Sequence, residues 1–414
     1  MNTKITSNTS TPVLIALIIC CAMSLMGAPG DLDPTFGIGG KVSDLSGYGS
    51  YDVAIQKDGK IVAVGQGGVG VAVFRYNIDG SPDMTFGGTG RVFIDQYQVA
   101  IDVAIQPDGK IVIAGRDLDG EVFGVLIRLN SDGSLDTSFG TNGTLAAFLP
   151  SVSGIQKDGK LLVAYAARLY RLNNDGTFDM TFGECQPGST IHYPNTRMES
   201  VIQRDGRIVT AFTIAESRFG AFRCNRDGTL DTSFGSGGVV ITTTGSGLGV
   251  AHSIALQKDG KIVVTGQSQI NSNSDWKLTV VRYNPNGSLD TGFGTGGMVT
   301  MPTGITYWLP PLDSVAIQAD GRILVSSTTQ NGSDRDFTLV RFDPNGSLDT
   351  TFGGGDGIAT VDFDQANENA NGMAIDGQGR AVVVGSSAGF ALARILLAPR
   401  MTRFGLDGDS QSDR

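Results

Sequence analysis

A phrase of the form Leu-Asp-x-x-Phe-Gly recurs seven times along 414 residues, with its phenylalanines at Phe36, Phe86, Phe139, Phe182, Phe234, Phe293 and Phe352. Their spacings are 50, 53, 43, 52, 59 and 59 residues, the scale of propeller blades and solenoid units. A second phrase, Ala-Ile-Gln-x-Asp-Gly-Lys and variants, alternates with the first, starting from Val53, Val103, Ser153, Ser200, Ile254, Val315 and Met373. Any fold must therefore be one supersecondary unit written seven times.

One unit reads as four strands. Val103-Ala104-Ile105-Gln106 is a short run rich in β-branched residues, stopped by Pro107-Asp108-Gly109; Lys110 to Gly115 follows the turn. Val122 to Leu129 is a third run, stopped by Asn130-Ser131-Asp132-Gly133, and Ser134-Leu135-Asp136 opens a fourth. Asp-Gly and Asn-Gly turns between such runs make hairpins, because glycine takes positive φ without steric penalty. Strands a, b, c and d of this kind, apolar on both faces, match a propeller blade. The chain opens with a lone d element (Asp31 to Val42) and closes with a, b and c strands (Met373 to Leu397). The two ends complement each other. The expected fold is all-β: a seven-bladed propeller of four antiparallel strands per blade, closed by the N-terminal strand completing the last blade. Closure also removes open sheet edges.

Strand c carries Arg75, Arg128, Arg171, Arg223, Arg282, Arg341 and Arg394; the first six have an acid eight residues on, at Asp83, Asp136, Asp179, Asp231, Asp290 and Asp349. Arg394 lacks such an acid, and Asp33 lacks an Arg. Ring closure would join them. A buried Arg needs a carboxylate, so these charges read as scaffold.

The net charge of −10 and pI near 4.7 argue against nucleic acid, whose phosphates demand a basic surface. Residues 1–30 read as a signal peptide, with an uncleaved membrane anchor as the alternative: Lys4, then the apolar run Val13 to Met26, too short to span a bilayer comfortably. Small residues permit cleavage after Ser24, with Ala22 two before it, or near Ala28 to Gly30. The mature chain is then secreted or extracytoplasmic, in the periplasm or on the cell surface, without membrane insertion. Export would remove Cys20 and Cys21. Cys224 holds a strand-c position occupied elsewhere by Tyr76, Tyr283 and Phe342, a place for a small buried hydrophobe. Strand order does not favour its pairing with Cys185.

The phrases Gly-Ser-Leu-Asp-Thr-Ser-Phe-Gly and Val-Ala-Ile-Gln-Pro-Asp-Gly-Lys-Ile-Val-Ile-Ala-Gly resemble the delta-60 repeat, a β-propeller-like family of exported bacterial proteins, over residues 31–397. The resemblance implies an extracytoplasmic location and supplies no reaction, ligand or catalytic residue. Repeats three and four depart most, with Gly154 for Ala, Tyr165 for Gly and Phe212 for Gly. The acidic tail, 398–414, is similar to the opening of an FG-GAP calcium loop. Asp407, Asp409 and Asp413 match later ligands, but Gly405 stands at the first Asp. Calcium takes six to eight oxygens, so the expectation is a disordered tail or truncated repeat with at most a weak calcium site and no cofactor.

Strands alternate in direction, so a–b and c–d turns share one face and b–c and d–a loops the other. The first set barely varies. Length variation falls in the second, at 185–198, 267–276, 301–312, 328–336 and 364–371. Loops on a rigid scaffold are where binding resides. Trp276, Tyr307 and Trp308 sit in or beside those loops at blades five and six with Asp313, and are the expected ligand-binding residues. His192 and His252 are the only histidines, and no Gly-x-Ser-x-Gly, HExxH or paired-cysteine zinc spacing accompanies them. The expected function is a non-enzymatic recognition or scaffold propeller for a glycan or protein ligand. The alternative is a metal-assisted hydrolase or lactone-opening enzyme using Asp52, Asp102, Glu199, His252 and Asp313 at the channel mouth.

Overall fold

A computed structural model describes residues 27–399 apart from 69, 117–123, 147–150, 166–167, 189–197, 215–217, 246, 270, 272–275, 304–312, 333 and 365–366. Seven antiparallel sheets form a ring of seven blades built on a four-strand plan, six with all four strands and blade three with three strands and a single bridge in the fourth place. Blade one runs Gly47–Ile55, Ile61–Gly67, Val71–Tyr76 and Arg91–Ile94, and the others repeat that order. Strand c is buried along its whole length in blade one (Val71–Tyr76) and blade seven (Gly389–Leu396), because neighbouring blades cover both of its faces.

The ring closes as the repeat phase requires. In blade seven the order is Lys41–Asp44, Gly389–Leu396, Arg380–Ser387, Asn369–Ile375. Lys41 is opposite Ala393, Val42 opposite Leu392, Ser43 opposite Ala391 and Asp44 opposite Phe390.

The phrase Leu-Asp-x-x-Phe-Gly is a loop pinched out of strand d rather than strand itself. In blade two Asp136 N–H donates to the Arg128 carbonyl and Arg128 N–H donates to the Gly143 carbonyl, so both ends of the excursion meet at the arginine. Asp136 Oδ1 caps the loop by accepting from the backbone and hydroxyl of Ser138 (3.1 and 2.7 Å). The other oxygen accepts from Arg128 Nε at 2.6 Å and from Lys110 Nζ at 2.8 Å. The lysine of Asp-Gly-Lys thus supplies a second cation to the same carboxylate. Phe139 lies under the guanidinium, 4.5 Å from ring centroid to Cζ, a cation–π contact made in all seven blades. Each arginine finally donates to a backbone carbonyl of the next blade, as Arg223 does to Pro285 (2.6 Å) and Arg394 of blade seven to Ile78 of blade one. Asp33 joins Arg394 at 3.0 Å and Arg380 at 3.1 Å. One buried cluster therefore folds the excursion, closes the hairpin and ties the seam.

Blade three departs from the pattern. Its outermost place is taken by the segment at Cys185, which makes a single bridge to Leu169. Cys185 is disulfide-bonded to Cys224 of blade four, with Cα atoms 5.9 Å apart, which corrects the expectation drawn from strand order. The reason lies between blades. At the corresponding strand-c position of blade five, the Tyr283 hydroxyl donates to Thr242 Oγ1 on the outer strand of blade four (2.8 Å). Cys224 faces the outer segment of blade three in the same way, and a covalent bond replaces the aromatic contact where that segment is short. Closing a 39-residue loop contributes about 4 kcal/mol on the chain-entropy account.

Candidate functional site

The residue just before the second repeat phrase begins stands on strand a and reaches toward the next blade. Asp52 Oδ2 accepts from Val103 N–H (2.9 Å) and Asp102 Oδ2 from Val152 N–H (3.0 Å). Glu199 Oε2 accepts from the Ser253 hydroxyl (2.7 Å) and Ile254 N–H (3.4 Å). Where the acid is absent, Ser253 Oγ accepts from Val315 N–H (3.3 Å). The seventh seam is crossed by Asn371, whose Nδ2 donates to the Ser50 carbonyl (2.9 Å). Asp52, Asp102 and Glu199, expected as cation ligands in the enzymatic alternative, thus serve as seam ties with a backbone donor each.

Blades five and six hold a buried polar departure from the repeat. Strand b of blades one, two, five and seven carries a glycine, at Gly65, Gly115, Gly266 and Gly385, against which strand a packs; a Cβ on Gly65 would stand 2.0 Å from the Gly49 carbonyl oxygen. Blade six has Ser327 there, and its strand a starts only at Ser314. Asp313, freed of the close approach, turns in: its Oδ1 accepts from the Ser327 hydroxyl at 2.6 Å and from Gln267 Nε2 of blade five at 3.3 Å. Its Oδ2 lies 3.1 Å from His252 Nδ1 of blade five, and its backbone N–H donates to that nitrogen at 3.2 Å. The amide contact suits the neutral ring protonated on Nε2; the carboxylate contact suits a ring protonated on Nδ1. Both partners are buried, His252 at 6% and Asp313 at 2% exposed. Gln267 is fully buried, and its Oε1 meets no donor among the described residues. A buried acceptor in that state costs about 1–3 kcal/mol unless water or ligand reaches it.

Of the expected ligand-binding residues, the structure brings Asp313 into this cluster. Trp276 is 1% exposed at the head of strand c in blade five, where its carbonyl accepts from the Thr303 hydroxyl (2.7 Å). It is not an exposed platform: its flank of polar loop residues hid a position at which the strand had already begun. Tyr307, Trp308 and His192 lie outside the described residues, as do Asp407, Asp409 and Asp413. Sequence reasoning missed Gln267 and Ser327. The available signal was the run of hydroxyl residues in strand b, Thr265 and Ser326, where other blades carry valine or alanine (Val64, Ala114).

Among the described residues one group of acids, Asp336, Asp362 and Glu368, has ligand oxygens within 4.8 Å of one another. It lies on the same loop face of blade six. Three carboxylates could hold a divalent cation, though calcium completes its shell with six to eight oxygens.

On the opposite face, a cavity of about 550 Å³ opens between blades seven and one beside Lys60, Ile78 and Arg380. In blade two, Gln106 Nε2 crosses the corresponding seam to the Gly159 carbonyl (2.7 Å). Blade seven has the shorter Asp376 there, which takes Arg380 at 2.7 Å and leaves the space.

Six stretches, 56–86, 106–139, 156–182, 203–234, 257–293 and 318–352, match the family model described as a β-propeller domain of unknown function, DUF5122. Curated protein sequences yield no match. Among solved structures, virginiamycin B lyase from Staphylococcus aureus is similar at 10% identity and a TM-score of 0.52, over 86% of this chain and 98% of that one. YCF48 from Cyanidioschyzon merolae is similar at 12% identity and a TM-score of 0.49, over 86% and 98%. At 10% identity the likeness to the lyase speaks for the fold alone.

Proposed function

We propose that this propeller is an exported, non-enzymatic recognition or scaffold module. Its ligand, a glycan or a protein, sits on the b–c and d–a loop face over blades five and six. The observation that carries this reading is the His252–Asp313–Gln267–Ser327 cluster. It is a buried polar group, with an acceptor left over among the described residues, in the blades with the two longest repeat spacings, 59 residues each. The turn face favours the same conclusion from the other side, because it repeats one set of bonds from blade to blade. Export is supported by the Cys185–Cys224 bond, since disulfides persist in oxidising compartments. Kinship with the delta-60 repeat belongs to the same reading. No helix among the described residues is long and apolar enough to cross a membrane, and the charge of −10 disfavours nucleic acid.

Glycan and peptide arrays probed with the mature protein supply the ligand, and three variants then test its place. Asp313→Asn should weaken binding by tenfold or more in the folded fraction. Trp276→Ala should lower stability by about 3–5 kcal/mol while leaving that affinity intact, and Arg282→Ala should also act on stability alone. Unchanged affinity in Asp313→Asn would move the site away from blades five and six.

A further inference from the structure

Strands c and d of blade seven lie at opposite ends of the chain, so no covalent turn joins them. In the other six blades that turn is part of the seam. The glycine after each repeat phenylalanine donates to a turn carbonyl of the next blade: Gly37 to Asp79 (2.7 Å), Gly87 to Asp132 (2.9 Å), Gly140 to Asp175 (2.8 Å) and Gly183 to Asp227 (2.6 Å). Gly235 to Asn286 and Gly294 to Asn345 follow, both at 2.8 Å. The turn glycine that comes next has positive φ, and a Cβ there would strike the preceding blade; at Gly346 (φ 90°) it would stand 2.8 Å from Gly294 N.

The seventh set is complete nonetheless, and residues ahead of the closing strand supply it. Gly353 N–H donates to the Pro29 carbonyl (3.1 Å). Gly30 has φ 101°, and a Cβ on it would stand 2.5 Å from Gly353 N. Asp31 N–H donates to the Ala28 carbonyl (3.1 Å), and Asp31 Oδ2 accepts from Ala28 N–H (2.7 Å). Gly30 N–H donates to the Leu396 carbonyl (2.8 Å), and Leu396 N–H to the Asp31 carbonyl (2.9 Å), which stitches this segment to strand c. Ala28-Pro29-Gly30-Asp31 is the missing c–d turn.

We infer that the chain is processed after Ser24, so that the mature protein begins at Leu25 and keeps this turn. The inference rests on the export reading. Of the two positions the small residues allow, the second cuts into this turn: cleavage after Ala28 removes both bonds between Ala28 and Asp31, and cleavage after Gly30 also leaves Gly353 N–H and the Leu396 carbonyl without these partners. Cleavage after Ser24, with Ala22 two residues before it, spares every bond above. The needs of the seventh blade thus favour the first of those positions, and the four residues after Gly27 are a structural part of the ring rather than a remnant of the leader.

The test has two arms. The full chain is expressed in a secreting bacterial host, and the extracytoplasmic protein is read by N-terminal sequencing and intact mass. A start at Leu25 is expected. A start at Pro29, Gly30 or Asp31 overturns the assignment while upholding export; a cell-retained chain starting at Met1 overturns export and the processing site together. The second arm needs no export: purified chains made to begin at Leu25 and at Asp31 are melted side by side. Losing these seam hydrogen bonds should lower the melting temperature of the shorter chain by about 4 °C. Equal melting would overturn the structural role of the turn.

Discussion

A chain that begins at Leu45 should fail to form a stable ring. It lacks Lys41–Asp44, the strand paired with Gly389–Leu396, and with it the two side chains that complete the last blade. Arg394, 1% exposed, would keep its guanidinium in the seam without Asp33. Removing one partner of such a buried pair costs about 3–5 kcal/mol. Phe36, fully buried under that guanidinium, withdraws about 1.5–3 kcal/mol of burial as well. The sum approaches the whole stability of an ordinary domain, and blade seven would present an open edge for association. The expected result is an aggregating chain, or one whose melting temperature falls by more than 10 °C. A truncated chain as stable as the parent would refute closure. Asp33→Asn in the full chain should reproduce the electrostatic part without opening the edge.

Acid should unfold the protein steeply. The carboxyls of Asp33, Asp83, Asp136, Asp179, Asp231, Asp290 and Asp349 are all held below their ordinary value. Burial pushes all seven up and is the largest single influence at six, but hydrogen bonds from neighbouring serine, threonine, glycine and lysine groups and the charge of the strand-c arginines outweigh it. At Asp179 the lysine bond, from Lys160, leads. A carboxylate whose folded pKa is depressed contributes stability above its unfolded value, near 3.9 for Asp, and loses it as pH falls toward the folded value. Urea midpoints should therefore be level from pH 7 to about 5 and drop below about pH 4. Several protons should be taken up in one transition, because unfolding of the ring releases the seven carboxylates together. Midpoints that stay level to pH 2 would show that the Arg–Asp clusters do not hold the ring.

What could be read from sequence was whatever a single repeat contains. The spacing of eight between Arg128 and Asp136 crosses one hairpin, and it recurs often enough to announce a pair. Arg394 and Asp33, each without a mate eight residues away in sequence, then pointed to closure, since repeat phase is a one-dimensional property. Contacts that depend on how one blade turns onto the next were not legible. Arg223 reaches Pro285 only because 62 residues bring the next turn beneath it. The Cys185–Cys224 bond crosses a seam in the same way. The site was half legible: loop-length variation pointed to blades five and six and to Asp313. The partners of Asp313 are Gln267, His252 and Ser327, and they arrive from three strands of two blades. The polar flank of Trp276 looked like loop, whereas its position belongs to strand c.

The pairing of the chain's two ends is most directly tested by a cross-link. Ser43 and Ala391 are opposite each other across the closing pair, and opposed residues of an antiparallel ladder lie within the Cα range a disulfide spans. In the variant carrying Ser43→Cys and Ala391→Cys, made from Leu25 onward so that Cys20 and Cys21 are absent, the native bond and the new one should both form on folding in air. Mass spectrometry after alkylation of the native protein should then find no reactive thiol, and a peptide joining the two ends after proteolysis. Two alkylated thiols at positions 43 and 391 in a folded, soluble protein would contradict the closed ring.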